Sequence, residues 1–273
     1  MIVPMPQPVP PIPPTGNYLL AALPPSELKR VTAGALYEEL AAGEAVHRAN
    51  ERHLAAHFPV RGLLRVMALM PDGESVQVAA VGRRGVVGIS PLLGVPASPF
   101  DVIAGDGSAA YRVPIESVLW SMRRDSEVTA VLLRYVQSRI VALAQGSACH
   151  RMHALDQRVA RWLLETSDEL ESDTVKTTHE FMADLLGVQR PRLTEALERL
   201  RKRGISTPVR GVIVISDREI LEHSACSCYG LLRTYASGIV DAGFRRPEQA
   251  LASLGSAPPL RPPARPPAPR RDG

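Results

Sequence analysis

The chain has 273 residues, 45% of them apolar, a formal net charge of +4 and three cysteines. That length suits two modest domains, and the apolar share excludes a chain that is disordered throughout. An odd, low cysteine count excludes a disulfide scaffold and fits a reducing compartment. No stretch reaches the roughly 18 uninterrupted apolar residues of a membrane span, and the N-terminus lacks the charged and apolar regions of a signal peptide. The expected location is the cytoplasm, with no membrane partner.

Residues 1–16 are Pro-rich and lack apolar periodicity, as do residues 255–273; both ends are expected to be extended and disordered. Residues 17–30 read as a short helix capped by Asn17, with Leu19, Leu20, Leu23 and Leu28 on its apolar face. From about 34 to 118 the runs Gly62–Met70, Ser75–Val81, Gly85–Ile89 and Ala109–Val113 alternate or are β-branched. Turn residues such as Pro71-Asp72-Gly73 separate them, which predicts an antiparallel β-domain.

Residues 126–146 read as a helix in which Thr129, Leu133, Val136, Ile140 and Leu143 recur every three or four positions, the seam of a helix that pairs with its own copy. A second stripe, Val128, Leu132 and Tyr135, is placed to pack back on the β-domain. A further helix is expected from Ala154 to Leu170 with Val159, Trp162 and Leu163 inward. Two short helices, 178–186 and 190–203, and a hairpin around Pro208-Val209-Arg210-Gly211 follow.

Charge is concentrated in that last region. Residues 190–210 hold seven basic and two acidic side chains, whereas residues 17–146 hold 13 and 12. A local basic block is a candidate phosphate-facing surface. Within it, Thr178 is placed to cap one helix, Gly187 to end it in a left-handed turn, and Ala183 to allow a close helix crossing. Met182, Leu186, Val188, Leu193 and Leu197 share one core. This is helix-turn-helix spacing. Arg190 and Thr194 fall on one exposed flank of the second helix and Arg192, Arg199 and Arg203 on the other, with Pro191 in the first turn, where its missing N–H costs little.

The block Thr178–Leu200 resembles the winged helix-turn-helix of the Crp/Fnr family. The similarity extends to Cys149-His150-Arg151-Met152-His153, Arg158-Val159-Ala160-Arg161-Trp162-Leu163-Leu164, Arg210-Gly211-Val212-Ile213 and Asp217-Arg218. Upstream, Gly43-Glu44, Val81-Gly82-Arg83 and Gly85-Val86-Val87-Gly88 resemble that family's β-roll.

The resemblance implies an α+β protein: an N-terminal antiparallel β-roll of jelly-roll type, a long dimerisation helix and a C-terminal winged helix-turn-helix. The expected division is a Pro-rich arm (1–16), a cyclic-nucleotide-binding-like sensor domain (17–124), a dimerisation helix (125–147), a DNA-binding domain (148–235) and a Pro/Arg-rich tail (236–273). It implies a homodimer on a palindromic promoter site in double-stranded DNA, with RNA polymerase as a further partner. The DNA-facing set is Thr178, His179, Gln189, Arg190, Arg192, Thr194, Glu195, Arg199 and Arg210. In the family the recognition helix often reads Arg-Glu-x-x-x-Arg; here Arg190 matches the first Arg, but Pro191 and Glu195 replace the Glu and the second Arg. A guanine contact by Arg190 carries over, and the usual half-site does not. Thr178, His179 and Arg192 match positions that touch phosphate.

The sensor domain departs from its relatives. Cyclic-nucleotide members use a Gly-Glu pair and an Arg in the stretch that here reads Gly88-Ile89-Ser90-Pro91-Leu92-Leu93-Gly94-Val95-Pro96-Ala97-Ser98-Pro99. Ile89 replaces the Glu, and no Arg lies between Arg84 and Arg112, so a cyclic phosphate lacks its partners. The N-terminal cysteines of iron–sulfur members are absent too, since the first cysteine is Cys149. The small-molecule effector is left unnamed.

No cofactor or metal is expected. Cys149 and His153 lie one turn apart and Cys226-x-Cys228 follows the wing. These form a metal or redox site only if the fold joins them, and Cys-Ser-Cys is tighter than usual zinc spacing. His47, His53 and His57 are read as surface histidines. With no Walker loop, HExxH or nucleophile–base set, the chain is not read as an enzyme. The alternative is a ligand-binding sensor without specific DNA binding, which leaves the helix-turn-helix unexplained.

Overall fold

The computed structural model describes residues 16–209 and 211–240. The Pro-rich arm through residue 15, Arg210, and the tail from residue 241 lie outside them.

The helix expected over 17–30 is two helices, α1 (Tyr18–Ala21) and α2 (Pro25–Val31). Pro24 and Pro25 divide them: neither has an N–H to continue a helix, and Pro25 can occupy only its first turn. Asn17 does more than cap. Its Oδ1 accepts from the Leu20 N–H while its Nδ2 donates to the carbonyls of Pro59 (2.8 Å) and Gly85 (2.9 Å). One buried amide thus fastens the N-terminal helices to the β-domain.

Among the described residues, that domain has seven strands: β1 (Leu36–Glu39), β2 (Ala45–His47), β3 (Ala55–Arg61), β4 (Leu64–Leu69), β5 (Ser75–Val81), β6 (Phe100–Ala104) and β7 (Ala109–Pro114). They form two antiparallel sheets, ordered β1-β7-β3 and β2-β6-β4-β5. Leu40, Leu64, Val81, Val87, Val102, Ala104 and Ala110 fill one core of the domain. The run Gly85–Ile89 is not a strand. Val87 alone bridges to His57, because Val86 and Val87 enter different cores and Gly88, at φ +80°, turns the chain away. The apolar signal was burial on two sides, which a strand and a threaded loop share.

Helices α3 (Ile115–Arg124) and α4 (Ser126–Met152) follow. Asp125 caps α4, accepting from the Glu127 N–H at 2.7 Å. Val128, Val131, Leu132 and Tyr135 are buried against the N-terminal domain, and the Tyr135 hydroxyl donates to the Val86 carbonyl at 2.9 Å. The opposite stripe is open: Leu133, Ile140 and Leu143 are 48%, 56% and 50% exposed. The helix does not stop at the expected residue 146. It runs to Met152, and the chain breaks at His153 and Ala154, both extended (ψ 146° and 153°).

The C-terminal domain comprises α5 (Leu155–Leu170), β8 (Thr174–Lys176), α6 (His179–Leu186), α7 (Arg190–Lys202), β9 (Ser206–Val209), β10 (Val212–Ile215), α8 (Arg218–Ser224) and α9 (Cys228–Val240). The three strands form a small sheet ordered β8-β10-β9. Val159, Leu163, Leu164, Met182, Leu193, Leu200 and Ile205 are among its most deeply buried side chains. At about 1.5–3 kcal/mol per large apolar side chain, this core holds α6 and α7 in one arrangement. Helix α9 packs back on α4.

Candidate nucleic-acid interface

The two helices of the motif are built as the residue pattern requires. The Thr178 hydroxyl accepts from the Phe181 N–H at 3.1 Å, starting α6. Gly187, at φ +62°, ends it, and its N–H returns to the Asp184 carbonyl. A side chain there would have to adopt the left-handed conformation. Ala183 is buried under the crossing helix. Leu193, Leu197 and Leu200 face the core, which leaves Arg190, Arg192, Thr194 and Glu195 exposed along the first turns of α7.

The sequence-derived set falls into three groups. Gln189, Arg190 and Arg192 are open to solvent in whole or in part, and neither Arg190 nor Arg192 makes an ion pair among the described residues. Thr178, His179 and Thr194 are tied to the scaffold. The Thr194 hydroxyl donates to the Arg190 carbonyl at 3.0 Å and lies 3.1 Å from His179 Nδ1, joining α6 to α7. With the hydroxyl proton used, that contact requires an N–H at Nδ1. Arg199 is engaged elsewhere: its guanidinium grips Asp156 with two 2.7 Å bonds. This pair locks the recognition helix to α5, a role the sequence pattern did not reveal because Asp156 lies 43 residues away. Glu195 stands 3.9 Å from the same Arg199. Arg210 lies outside the described residues.

Residues 157–224 match the model of the Crp-like helix-turn-helix domain. The solved structures extend the likeness across the fold. FixK2 of Bradyrhizobium japonicum superposes with a TM-score of 0.62 at 19% identity, covering 71% of this chain and 98% of that one. A CRP-family transcriptional regulator from Thermus thermophilus gives 0.57 at 22% identity, covering 69% and 96%. The regulator CLP of Xanthomonas campestris, described as responsive to c-di-GMP, gives 0.56 at 14% identity, covering 70% and 99%. Residues 157–224 thus form a Crp-like helix-turn-helix domain, and the described chain shares the fold of these Crp/Fnr regulators. No curated protein matches it by sequence at a significant level. Among the described residues, no helix is long and apolar enough to cross a membrane.

The helix-turn-helix domain touches the β-domain at several points. Lys176 pairs with Asp106 at 2.6 Å, Arg65 lies over the Phe181 ring at 5.0 Å, and Arg83 pairs with Glu171 at 2.5 Å. The Gly82 N–H donates to Glu169 at 3.0 Å, and a Cβ at Gly82 would lie 2.6 Å from the Glu169 carbonyl, so only glycine permits this approach. Burial pushes the Glu169 carboxyl above its usual range against the pull of Arg139. These contacts join the two domains directly.

Two clusters differ from expectation. His47, His53 and His57 are not surface residues: they are 8%, 4% and 5% exposed and stack together inside the β-domain. His57 Nδ1 and His47 Nε2 lie 3.1 Å apart. They arrive from β2, the following loop and β3, and that convergence is tertiary. Cys149, His153, Cys226 and Cys228, which the sequence reading made a metal or redox site only if the fold joins them, converge as well, with ligand atoms all within 4.8 Å of one another. Burial pushes the Cys149 thiol up to about 12, and its contact with Cys226 adds to the shift.

Proposed function

We propose that this protein is a homodimeric, sequence-specific DNA-binding regulator of transcription that acts on palindromic promoter sites. The observation that carries this reading is the first turns of α7, which present Gln189, Arg190 and Arg192 outward from a helix locked by a fully buried core. Side chains near the start of a recognition helix reach base edges, while flanking cations meet phosphates. Dimerisation along the open stripe of α4 places two such helices about 34 Å apart, one turn of DNA. RNA polymerase is the downstream partner, the location is cytoplasmic, and no catalytic step is assigned. Ile89 and the stretch without arginine from 85 to 111 argue against a cyclic-nucleotide effector.

The test is selection of binding sites from a random duplex pool with purified protein and no added ligand. A two-fold symmetric motif supports the reading. Failure to recover any motif, with or without cell extract, overturns it in favour of a ligand-binding protein.

On the selected site, Arg190→Ala is expected to cost about 1–3 kcal/mol and to relax specificity at one base pair per half-site. Arg192→Ala is expected to weaken binding to all sequences alike and to lower the salt dependence by about one counterion per protomer. Titrations against cognate and scrambled duplexes at several salt concentrations read both effects. A sequence-selective loss for Arg192→Ala refutes its phosphate role.

A further inference from the structure

We propose that Cys149, His153, Cys226 and Cys228 form a closed tetrahedral site for a thiolate-preferring divalent cation, Zn2+ above all, which clips the C-terminal helix to the junction between the long helix and the helix-turn-helix domain. The geometry carries this. Cys149 Sγ lies 3.5 Å from Cys226 Sγ, and Cys228 Sγ lies 3.5 Å from His153 Nδ1. A tetrahedron built on Zn–S bonds of about 2.3 Å and Zn–N bonds of about 2.0 Å has edges of about 3.5–3.8 Å. A disulfide would bring two sulfurs to about 2.05 Å, and all three cysteines are free thiols. An iron–sulfur cluster would spread its thiolates around several metals and bridging sulfides, wider than a group confined within 4.8 Å.

The surroundings fit a centre of negative charge. Three thiolates and a neutral imidazole around a divalent cation leave a net −1. Arg161, with its side chain buried and its Nε unpaired among the described residues, acts electrostatically on Cys149, as does Arg158. Gln145 Nε2 lies 3.0 Å from Cys228 Sγ, placed to donate to that thiolate as an outer-shell group. All three cysteines are at most 3% exposed and His153 is half-buried, so the thiolate side of the site is shielded from water, and four protein ligands fill a tetrahedral coordination shell.

The position explains what the cation does. Cys149 and His153 share one face of the last turn of α4, and His153 is the residue at which that helix breaks. Cys226 and Cys228 begin the segment that becomes α9, the helix packed on α4. The bound cation therefore fixes the hinge from both sides. Its removal frees α9 and lets the helix-turn-helix domain reorient. The site stands without reference to DNA; its effect on DNA binding rests on the proposed function.

The experiment uses the full chain purified from zinc-supplemented cells. Elemental analysis is expected to give one Zn2+ per chain. After chelation, Co2+ is expected to restore a 1:1 complex with the strong visible bands of tetrahedral cobalt and thiolate-to-cobalt charge transfer. Cys226→Ser and His153→Ala are each expected to weaken retention at least tenfold in competition with a chromogenic chelator. Loss of the metal is expected to lower the thermal midpoint by several degrees. If a variant does not fold, the cobalt spectrum of the wild-type chain decides alone.

Wild-type protein that takes up neither ion overturns the proposal, as does iron with acid-labile sulfide or a resting Cys149–Cys226 disulfide. The metal-free chain is expected to bind its selected duplex at least tenfold more weakly. Metal uptake with unchanged DNA binding overturns the coupling and leaves the site intact. Metal uptake by a chain that binds no DNA overturns the proposed function alone.

Discussion

Ile140→Glu is expected to convert the protein to a monomer and to lower its affinity for a two-fold site by at least a hundredfold. Ile140 is 56% exposed, between Leu133 and Leu143 on a stripe of α4 that the described residues leave open. In a helix pair related by a two-fold axis, a glutamate here enters the seam from both sides, so each carboxylate is desolvated near its own copy. Burying an unpaired charge costs several kcal/mol, and each 1.4 kcal/mol is tenfold in association. The helix itself should survive, since glutamate is a good helix former and the side chain touches little of its own protomer. Sedimentation and far-UV circular dichroism read assembly and helicity, and a duplex titration reads affinity. A variant that remains a dimer at wild-type affinity shows that the seam lies elsewhere.

Acidification is expected to destabilise the β-domain through its histidine cluster. Burial, with the positive influence of His57, His53 and Arg112, drives the His47 pKa down from 6.5 to about 3. Burial, then His57, moves His53 in the same direction. Both rings therefore stay neutral in the folded chain at a pH where the unfolded chain has bound a proton. The His47 contribution is complete above pH 6.5 and is lost as the pH falls from there towards 3, and that of His53 is lost in the same direction. One histidine contributes about 1.4 kcal/mol per pH unit in that window, so His47 alone accounts for about 2 kcal/mol at pH 5. Glu38 stands 3.6 Å from His57 and 3.9 Å from Arg112, the one carboxylate paired with this group among the described residues.

Urea unfolding of the wild type and of His47→Gln at pH 7.5 and pH 5 isolates the effect. The variant is expected to lose stability less steeply with acid, whatever its baseline. Equal slopes would show that the ring is solvated.

The antiparallel β-domain, the long helix and the helix-turn-helix were legible from residue order because each rests on local rules. Thr178 and Gly187 mark the ends of α6 by hydrogen bonding and by φ, properties of single residues. Leu193, Leu197 and Leu200 mark the buried face of α7 by helical periodicity. The stripes of α4 separate into a face covered by the N-terminal domain and a face on which Leu133, Ile140 and Leu143 are exposed while Thr129 and Val136 are half-buried. Where the local rules were ambiguous, the reading failed in a physical way. Gly85–Ile89 carries the apolar content of a strand but threads between two cores. Residues 17–30 carry the apolar content of one helix but contain two prolines.

Residue order by itself determined the order of an antiparallel β-domain, a long helix and a helix-turn-helix, and the exposed start of the second motif helix, because capping, periodicity and residue chemistry act within a few positions of the chain. The expected departure of Gly88–Pro99 from a cyclic-phosphate site came from the resemblance. Tertiary structure alone decided that Arg199 is held by Asp156, that three histidines are buried together, and that Cys149 and His153 meet Cys226 and Cys228. Each of those contacts joins residues from separate elements. Their distance is set by how α4, α5 and α9 or the strands pack, and no spacing along the chain encodes it.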